Sequence, residues 1–153
     1  MTQPIVHVLR LHPERDADLP LPTYQTEGAA GADLCAAIAE PMTLAPLQRV
    51  LVPTGLALAI PPGFEGQVRP RSGIAVKRGL TVPNSPGTID SDYRGELFVA
   101  LVNLDPQPQT IVRGERIAQL IIAPVLQARF QLGESLDVTV RGDGGFGSTG
   151  QHG

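Results

Sequence analysis

Turn-forming residues punctuate this sequence from end to end, with 17 glycines and 15 prolines among 153 residues, roughly twice average usage. Proline removes a backbone donor and glycine weakens a helix interior, so long helices are disfavoured and short strands joined by turns are favoured. The chain is nevertheless a folding one. Its residues are 42% hydrophobic and 18% charged, outside the range of disordered or low-complexity chains. Its length suits one domain spanning residues 1–153, with a core large enough to need no disulfide or structural metal. No internal repeat or linker divides it.

Apolar runs between the turns read as strands. Candidates are Ile5 to Leu11, Ala32 to Ala37, Arg49 to Pro53, Leu56 to Ile60 and Phe64 to Arg69, with Pro61-Pro62-Gly63 forcing a turn. Leu97, Val99 and Leu101 share one face of a strand and Phe98, Ala100 and Val102 the other. Both faces are apolar, which predicts a central strand. Ile117 to Ala123 behaves similarly, and Phe130 and Val138 mark further candidates. One short helix is expected over Gly73 to Arg78, with Ser72 as N-cap and Gly79 closing it. The pattern predicts an all-β sandwich, jelly roll or barrel. From about Arg141 the chain turns Gly-rich, and residues 141–153 are expected to be a mobile C-terminal arm.

Charge and composition narrow the functions. A formal net charge of −3 and a pI near 5.5 leave no basic face for a nucleic-acid polymer. A small anion needs only a few placed arginines. The single cysteine, Cys35, permits no intrachain disulfide and reads as a small packing residue. His7, His12 and His152 have no metal-ligand spacing, so no protein-ligated transition metal is expected. No signal-peptide layout or bilayer-length apolar run is present, and a cytoplasmic location is the expectation.

Four segments pair arginine with glycine and small polar residues: Arg71-Ser72-Gly73, Tyr93-Arg94-Gly95, Gly114-Glu115-Arg116 and Arg141-Gly142. Glycine lets backbone approach a ligand, and arginine forks onto phosphate oxygens. Ser72 at a helix start would add a hydroxyl beside unpaired N–H groups. Singly, each is more often an ordinary turn; four together point to an anionic ligand without identifying it. The run Gly87 to Gly95 adds two carboxylates, Asp90 and Asp92, beside Tyr93. A carboxylate near phosphates can take a proton from an attacking water, although Asp is also a common turn residue. In the tail, Phe146 lies among glycines near Ser148 and Thr149, a composition suited to stacking on a base and reaching phosphates.

Five motifs then carry a resemblance. They are Ala30-Gly31-Ala32-Asp33-Leu34, Pro70-Arg71-Ser72-Gly73-Ile74-Ala75, Gly87-Thr88-Ile89-Asp90-Ser91-Asp92-Tyr93-Arg94-Gly95-Glu96, Gly114-Glu115-Arg116-Ile117-Ala118-Gln119-Leu120-Ile121, and Arg141-Gly142-Asp143-Gly144-Gly145-Phe146-Gly147-Ser148-Thr149-Gly150. In this order and spacing, along nearly the whole length, the chain resembles the homotrimeric deoxyuridine triphosphatases (dUTPases).

The resemblance implies a β jelly roll and hydrolysis of dUTP to dUMP and pyrophosphate. It implies that Asp90 activates the water that attacks the α-phosphorus, and that Tyr93 packs under the deoxyribose, leaving no room for a 2′-hydroxyl. Asn84 and the backbone from Thr88 through Ile89 to Phe98 would form a hairpin receiving uracil. Arg71, Ser72, Gly73, Arg116 and Gln119 would grip the phosphates, with Asp33 supporting them. Arg141 and Phe146 would belong to the arm, with Phe146 over uracil and Ser148 and Thr149 at the terminal phosphate. Mg2+ would be held mainly by the triphosphate and water, and each site would be shared within a homotrimer. The related deoxycytidine triphosphate deaminases carry a carboxylate on the strand after the Asp motif; Leu97 to Asn103 has none.

Overall fold

The computed structural model describes residues 3–145. Along them run β1 (His7–Arg10), β2 (Ala32–Cys35), β3 (Met42–Leu44), β4 (Arg49–Ala59), β5 (Phe64–Arg69), α1 (Ser72–Arg78), β6 (Leu80–Thr81), β7 (Gly87–Ile89), β8 (Glu96–Asn103), β9 (Gln109–Ile111) and β10 (Arg116–Pro124). The strands form two four-stranded antiparallel sheets, β1-β4-β8-β6 and β2-β10-β5-β7, and a small β3-β9 ribbon. This is the expected all-β architecture with one short helix.

The inner faces supply the core. Leu97, Val99 and Leu101 of β8 and Val52 of β4 are buried in the same cluster as Leu34, Val68 and Leu120 of the other sheet. Each such side chain contributes roughly 1.5–3 kcal/mol relative to exposure. β8 is central, lying between β4 and β6. Only one of its faces is fully used, since Phe98 on the other face remains 41% exposed. Asn103 ends the strand as a buried polar pin, donating to the Leu44 and Gln107 carbonyls and accepting from the Asp105 N–H.

The apolar runs at Arg49 to Pro53 and Leu56 to Ile60 belong to one strand interrupted by a bulge, because the β4–β8 register shifts between Pro53 and Ala57. Pro53 has no N–H to pair and Gly55 adopts φ 69°, as a bulged position requires. The loop before β2 is tied to this bulge. Leu11 N–H donates to the Gly55 carbonyl, and the buried Asp16 occupies the space that a side chain on Gly55 would fill. Asp16 accepts from Arg15 Nε (2.8 Å) and from Arg113 (3.2 Å), and these guanidinium hydrogen bonds hold its carboxyl below the ordinary aspartate range.

Three expectations are corrected. No strand forms around Phe130 or Val138: beyond β10 the described residues carry no regular element, and these two side chains are 95% and 100% exposed. Apolar residues recur there, but no strand of the same chain pairs with them. Ser72 is already helical, so the N-cap is Arg71, extended at φ −95° and ψ 126° with no side-chain cap. Gly79 does close the helix, at φ 61°, with its N–H on the Ala75 carbonyl. The hairpin expected between Thr88 and Phe98 is a crossing between sheets. β7 pairs with β5, while β8 is paired on both sides by β4 and β6.

Candidate active site

The sequence-predicted residues gather in two clusters. The first lies at the β2 side of its sheet. Alternation along β2 buries Ala32 and Leu34 and leaves Asp33 and Cys35 on the opposite face. Arg116 and Gln119 are three apart on β10, a spacing that ordinarily points side chains to opposite faces. A register shift between Arg116 and Ala118 lets Ile117 and Ala118 both be buried, so Arg116 and Gln119 share the outer side with Asp33.

Asp33 joins the two arginines. Its Oδ1 accepts from Arg71 Nε at 2.9 Å and its Oδ2 from Arg116 at 3.1 Å, with only 10% of its side chain exposed. Arg71 also donates to the Arg116 carbonyl, at 3.1 Å. This explains the uncapped helix start: the Arg71 side chain is directed to β2 and β10. Gln119 Nε2 donates to the Pro70 carbonyl at 2.9 Å, fixing the approach to Arg71 and Ser72. Gly31 makes room for that amide, since a Cβ there would lie 3.0 Å from Gln119 Cδ and nearer to its Oε1. Two guanidiniums against one carboxylate leave one net positive charge, and each arginine retains N–H donors for an incoming anion. Ser72 and Gly73 stand exposed at the head of α1. Nearby Cys35 is half-buried, and burial pushes its thiol up, away from nucleophilic thiolate.

The second cluster surrounds a cavity of about 200 Å3 lined by Thr88, Ile89, Asp90, Tyr93, Glu96 and Phe98. Tyr93 N–H bonds the Asp90 carbonyl at 3.2 Å, closing a turn that presents both side chains. The Tyr93 hydroxyl donates to the Glu96 carbonyl at 3.0 Å. Arg94 caps the turn instead of facing a ligand, donating to the Ser91 and Tyr93 carbonyls. Asn84 is exposed beside Gly87, its Nδ2 3.1 Å from where a Gly87 Cβ would sit. Glu96 lines this cavity yet was absent from the sequence-derived candidates. Its signals were its place at the end of the third motif and a carboxylate opening a central strand; because β8 begins at Glu96, the strand after the Asp motif does carry a carboxylate, outside the Leu97 to Asn103 span read from sequence.

Two further placements complete the account. Arg141 joins neither cluster; it is exposed and donates to the Gly144 carbonyl at 2.9 Å. Phe146, Ser148 and Thr149 lie outside the described residues. A larger cleft of about 850 Å3, lined by Val6, Val8, Tyr24, Leu58 and Ile122 among others, includes none of the candidate site residues. Among the described residues no three His, Cys, Asp or Glu side chains form a metal cage, and Asp33 already has both oxygens engaged by arginine.

Comparison with known proteins decides the family. The dUTPase family model matches residues 17–150. The chain belongs to the dUTPase family. A deoxyuridine 5'-triphosphate nucleotidohydrolase of Methylocella silvestris is 59% identical to this family member over 152 residues, covering 98% of this chain and 94% of that protein. The dUTPase of Staphylococcus bacteriophage 80alpha, solved with dUpNHpp, superimposes with a TM-score of 0.84 at 26% identity, covering 95% of this chain and 98% of that one. A dUTPase of phage phi11 of S. aureus, in which a structural Mg(II) ion is coordinated, shares the fold with a TM-score of 0.76 at 22% identity, covering 88% of this chain and 99% of that one. No helix of the described residues is long and apolar enough to cross a membrane.

Proposed function

We propose that this chain hydrolyses dUTP to dUMP and pyrophosphate, keeping uracil out of DNA and supplying dUMP for thymidylate synthesis in the cytoplasm. The observation that carries the reading is the placing of Asp90 and Tyr93 together on a cavity of about 200 Å3. That volume lies below the ~300–1,000 Å3 of pockets for drug-sized ligands, so it suits a single ring and the edge of a sugar. Thr88, Ile89 and Phe98 wall the base, with Asn84 contributing an amide. A methyl on the pyrimidine would be rejected by clash, since lost contact alone discriminates weakly. Tyr93 packs under the deoxyribose.

Catalysis is positioning and charge neutralisation. Asp90 orients a water and accepts its proton as the water oxygen bonds to the α-phosphorus. The bond from that phosphorus to the bridging oxygen breaks, and pyrophosphate leaves. Arg71 and Arg116, held by Asp33, take the phosphate charge, with Ser72, Gly73 and Gln119 completing the grip. Mg2+, when bound, neutralises and orients the triphosphate, whose oxygens and water supply its ligands in place of a protein cage.

Each site is shared within a homotrimer. Within one chain, Asp33 on β2 and Ile89 on β7 occupy opposite edges of a four-stranded sheet, three inter-strand steps or roughly 14 Å apart. The stretch after β10 leaves Leu126, Phe130, Leu132 and Leu136 at least 94% exposed, as expected of an arm that lies on another copy. Arg141 would enter the neighbouring site on that arm, with Phe146 over uracil and Ser148 and Thr149 on the terminal phosphate.

The test is pyrophosphate release from dUTP and the four common deoxynucleoside triphosphates, with and without magnesium. The expectation is turnover confined to dUTP and dependent on the metal. Ammonia release from dCTP would replace this reading with a deaminase, and binding without turnover would leave only a nucleotide-responsive module.

A further inference from the structure

We propose that Gly95 is a positioning residue for the sugar wall, and that its missing side chain is what allows the enzyme to prefer deoxyribose over ribose. The inference rests on the reading of Tyr93 above and deepens it. The Tyr93 ring lies over the backbone that follows it, and its hydroxyl donates to the Glu96 carbonyl, three residues on, at 3.0 Å. In that pose it passes directly over Gly95. A Cβ built on Gly95 would lie 2.6 Å from Tyr93 Cζ and 3.0 Å from Cε2, and nearer still to the hydroxyl oxygen. Real Cβ atoms do not approach heavy atoms that closely, so an alanine at 95 and this ring position exclude one another.

The φ of Gly95 is not positive, in contrast to Gly55, Gly63, Gly79, Gly114 and Gly142, so the left-handed conformation that favours glycine is not the reason for it. The space is reserved for the tyrosine. The ring's anchor is itself fixed, because Glu96 pairs with Ala57 across β4–β8 and its Oε1 accepts the Gly55 N–H at 2.9 Å. The carbonyl therefore cannot follow a displaced ring. Tyr93 is 44% exposed, so the relief open to a Gly95→Ala chain is to swing the ring toward solvent. That movement would widen the cavity that Tyr93 lines, where the reading above puts the deoxyribose, while the core stays as it is.

The test measures kcat/KM for dUTP and for UTP, with magnesium, in the parent, Gly95→Ala, Tyr93→Ala and the double variant, alongside their melting temperatures. Tyr93→Ala should lower the dUTP-to-UTP ratio, and Gly95→Ala should lower it by roughly tenfold or more, as the loss of a built-in clash against the added hydroxyl would. The double variant should match Tyr93→Ala to within about twofold, since residues acting through one contact are non-additive. If Tyr93→Ala lowers the ratio and Gly95→Ala does not, the role given to Gly95 is wrong and that of Tyr93 stands. If Tyr93→Ala leaves the ratio unchanged, the sugar-wall reading fails and this inference with it. Should Gly95→Ala melt early, the double variant must recover the melting temperature of Tyr93→Ala; a loss shared by both would locate the need for glycine in the backbone and overturn the proposal.

Discussion

Replacing Asp16 by alanine removes the most deeply buried charge among the described ion pairs, and its cost can be worked from the contacts. The carboxylate is 1% exposed and is shared between Arg15, 46% exposed, and Arg113, 27% exposed. Breaking a fully buried pair on one side costs about 3–5 kcal/mol, mostly from the charge left without a partner. Here both abandoned guanidiniums have access to water, and Arg113 keeps Asp18 at 2.6 Å. The remaining loss is that of charge-assisted hydrogen bonds and of the packing against Gly55, about 2 kcal/mol. For a domain of this size that corresponds to a fall in melting temperature of roughly 4–8 °C, read by circular dichroism at fixed protein concentration. Asp18→Ala, whose side chain is 64% exposed, should move the transition far less.

The same carboxylate gives a pH dependence with a definite sign. Hydrogen bonds from Arg15 hold Asp16 below its ordinary value in the folded chain. The unfolded state therefore binds the proton more readily, and unfolding free energy rises with pH across the interval between the two values. The contribution is complete above about pH 4, the ordinary aspartate value, and is lost as pH falls through the folded one. Parent and Asp16→Ala should differ most above pH 4 and converge below it. A melting difference under about 1 °C at pH 7, or one that widens on acidification, would refute the reasoning.

Two further outcomes concern turnover. Asp90→Asn should retain binding of the imido analogue dUpNHpp, measured by calorimetry, while kcat falls by about 10²–10⁴, the usual contribution of a general base; near-parental turnover would remove Asp90 from that role. Deleting the chain after Arg141 should leave the melting curve unchanged and slow dUTP hydrolysis sharply. Equal rates would mean that Phe146, Ser148 and Thr149 take no part.

Strands with strong local signals were legible in the sequence. Phe64–Arg69 has the same bounds in sequence and structure, set by Gly63 before it and Pro70 after. The missed strands explain themselves. Met42–Leu44 and Gln109–Ile111 each bury a single side chain, Leu44 and Ile111, so three residues leave no periodicity to detect. They exist because they pair with each other, with Thr43 and Thr110 hydroxyls 2.8 Å apart across the ribbon. The error at Phe130 and Val138 was of the opposite kind. Apolar residues imply a surface to cover, but a strand also needs a pairing partner, and none of the described strands of this chain pairs with that stretch.

The site divided along the same line. The residue types were readable because arginine, glycine and carboxylate advertise their chemistry one position at a time. Their grouping was not, because it depends on backbone events that no spacing rule contains. Arg116 and Gln119 meet Asp33 on one side only because the register shifts beside Ala118. Arg71 faces the same carboxylate because the helix begins at Ser72 and leaves Arg71 extended. Glu96 reaches Gly55 because β4 bulges opposite the start of β8. The two strand irregularities each spend a ladder position to re-aim a side chain, as bulges beside functional sites do. Regular alternation along β10 at unchanged length would turn Arg116 toward the core and leave Asp33 with Arg71 alone, whereas deleting one of the two buried residues at the shift would keep Arg116 on the outer side. The phosphate grip proposed for this chain thus rests on one irregular backbone step as much as on its charged residues.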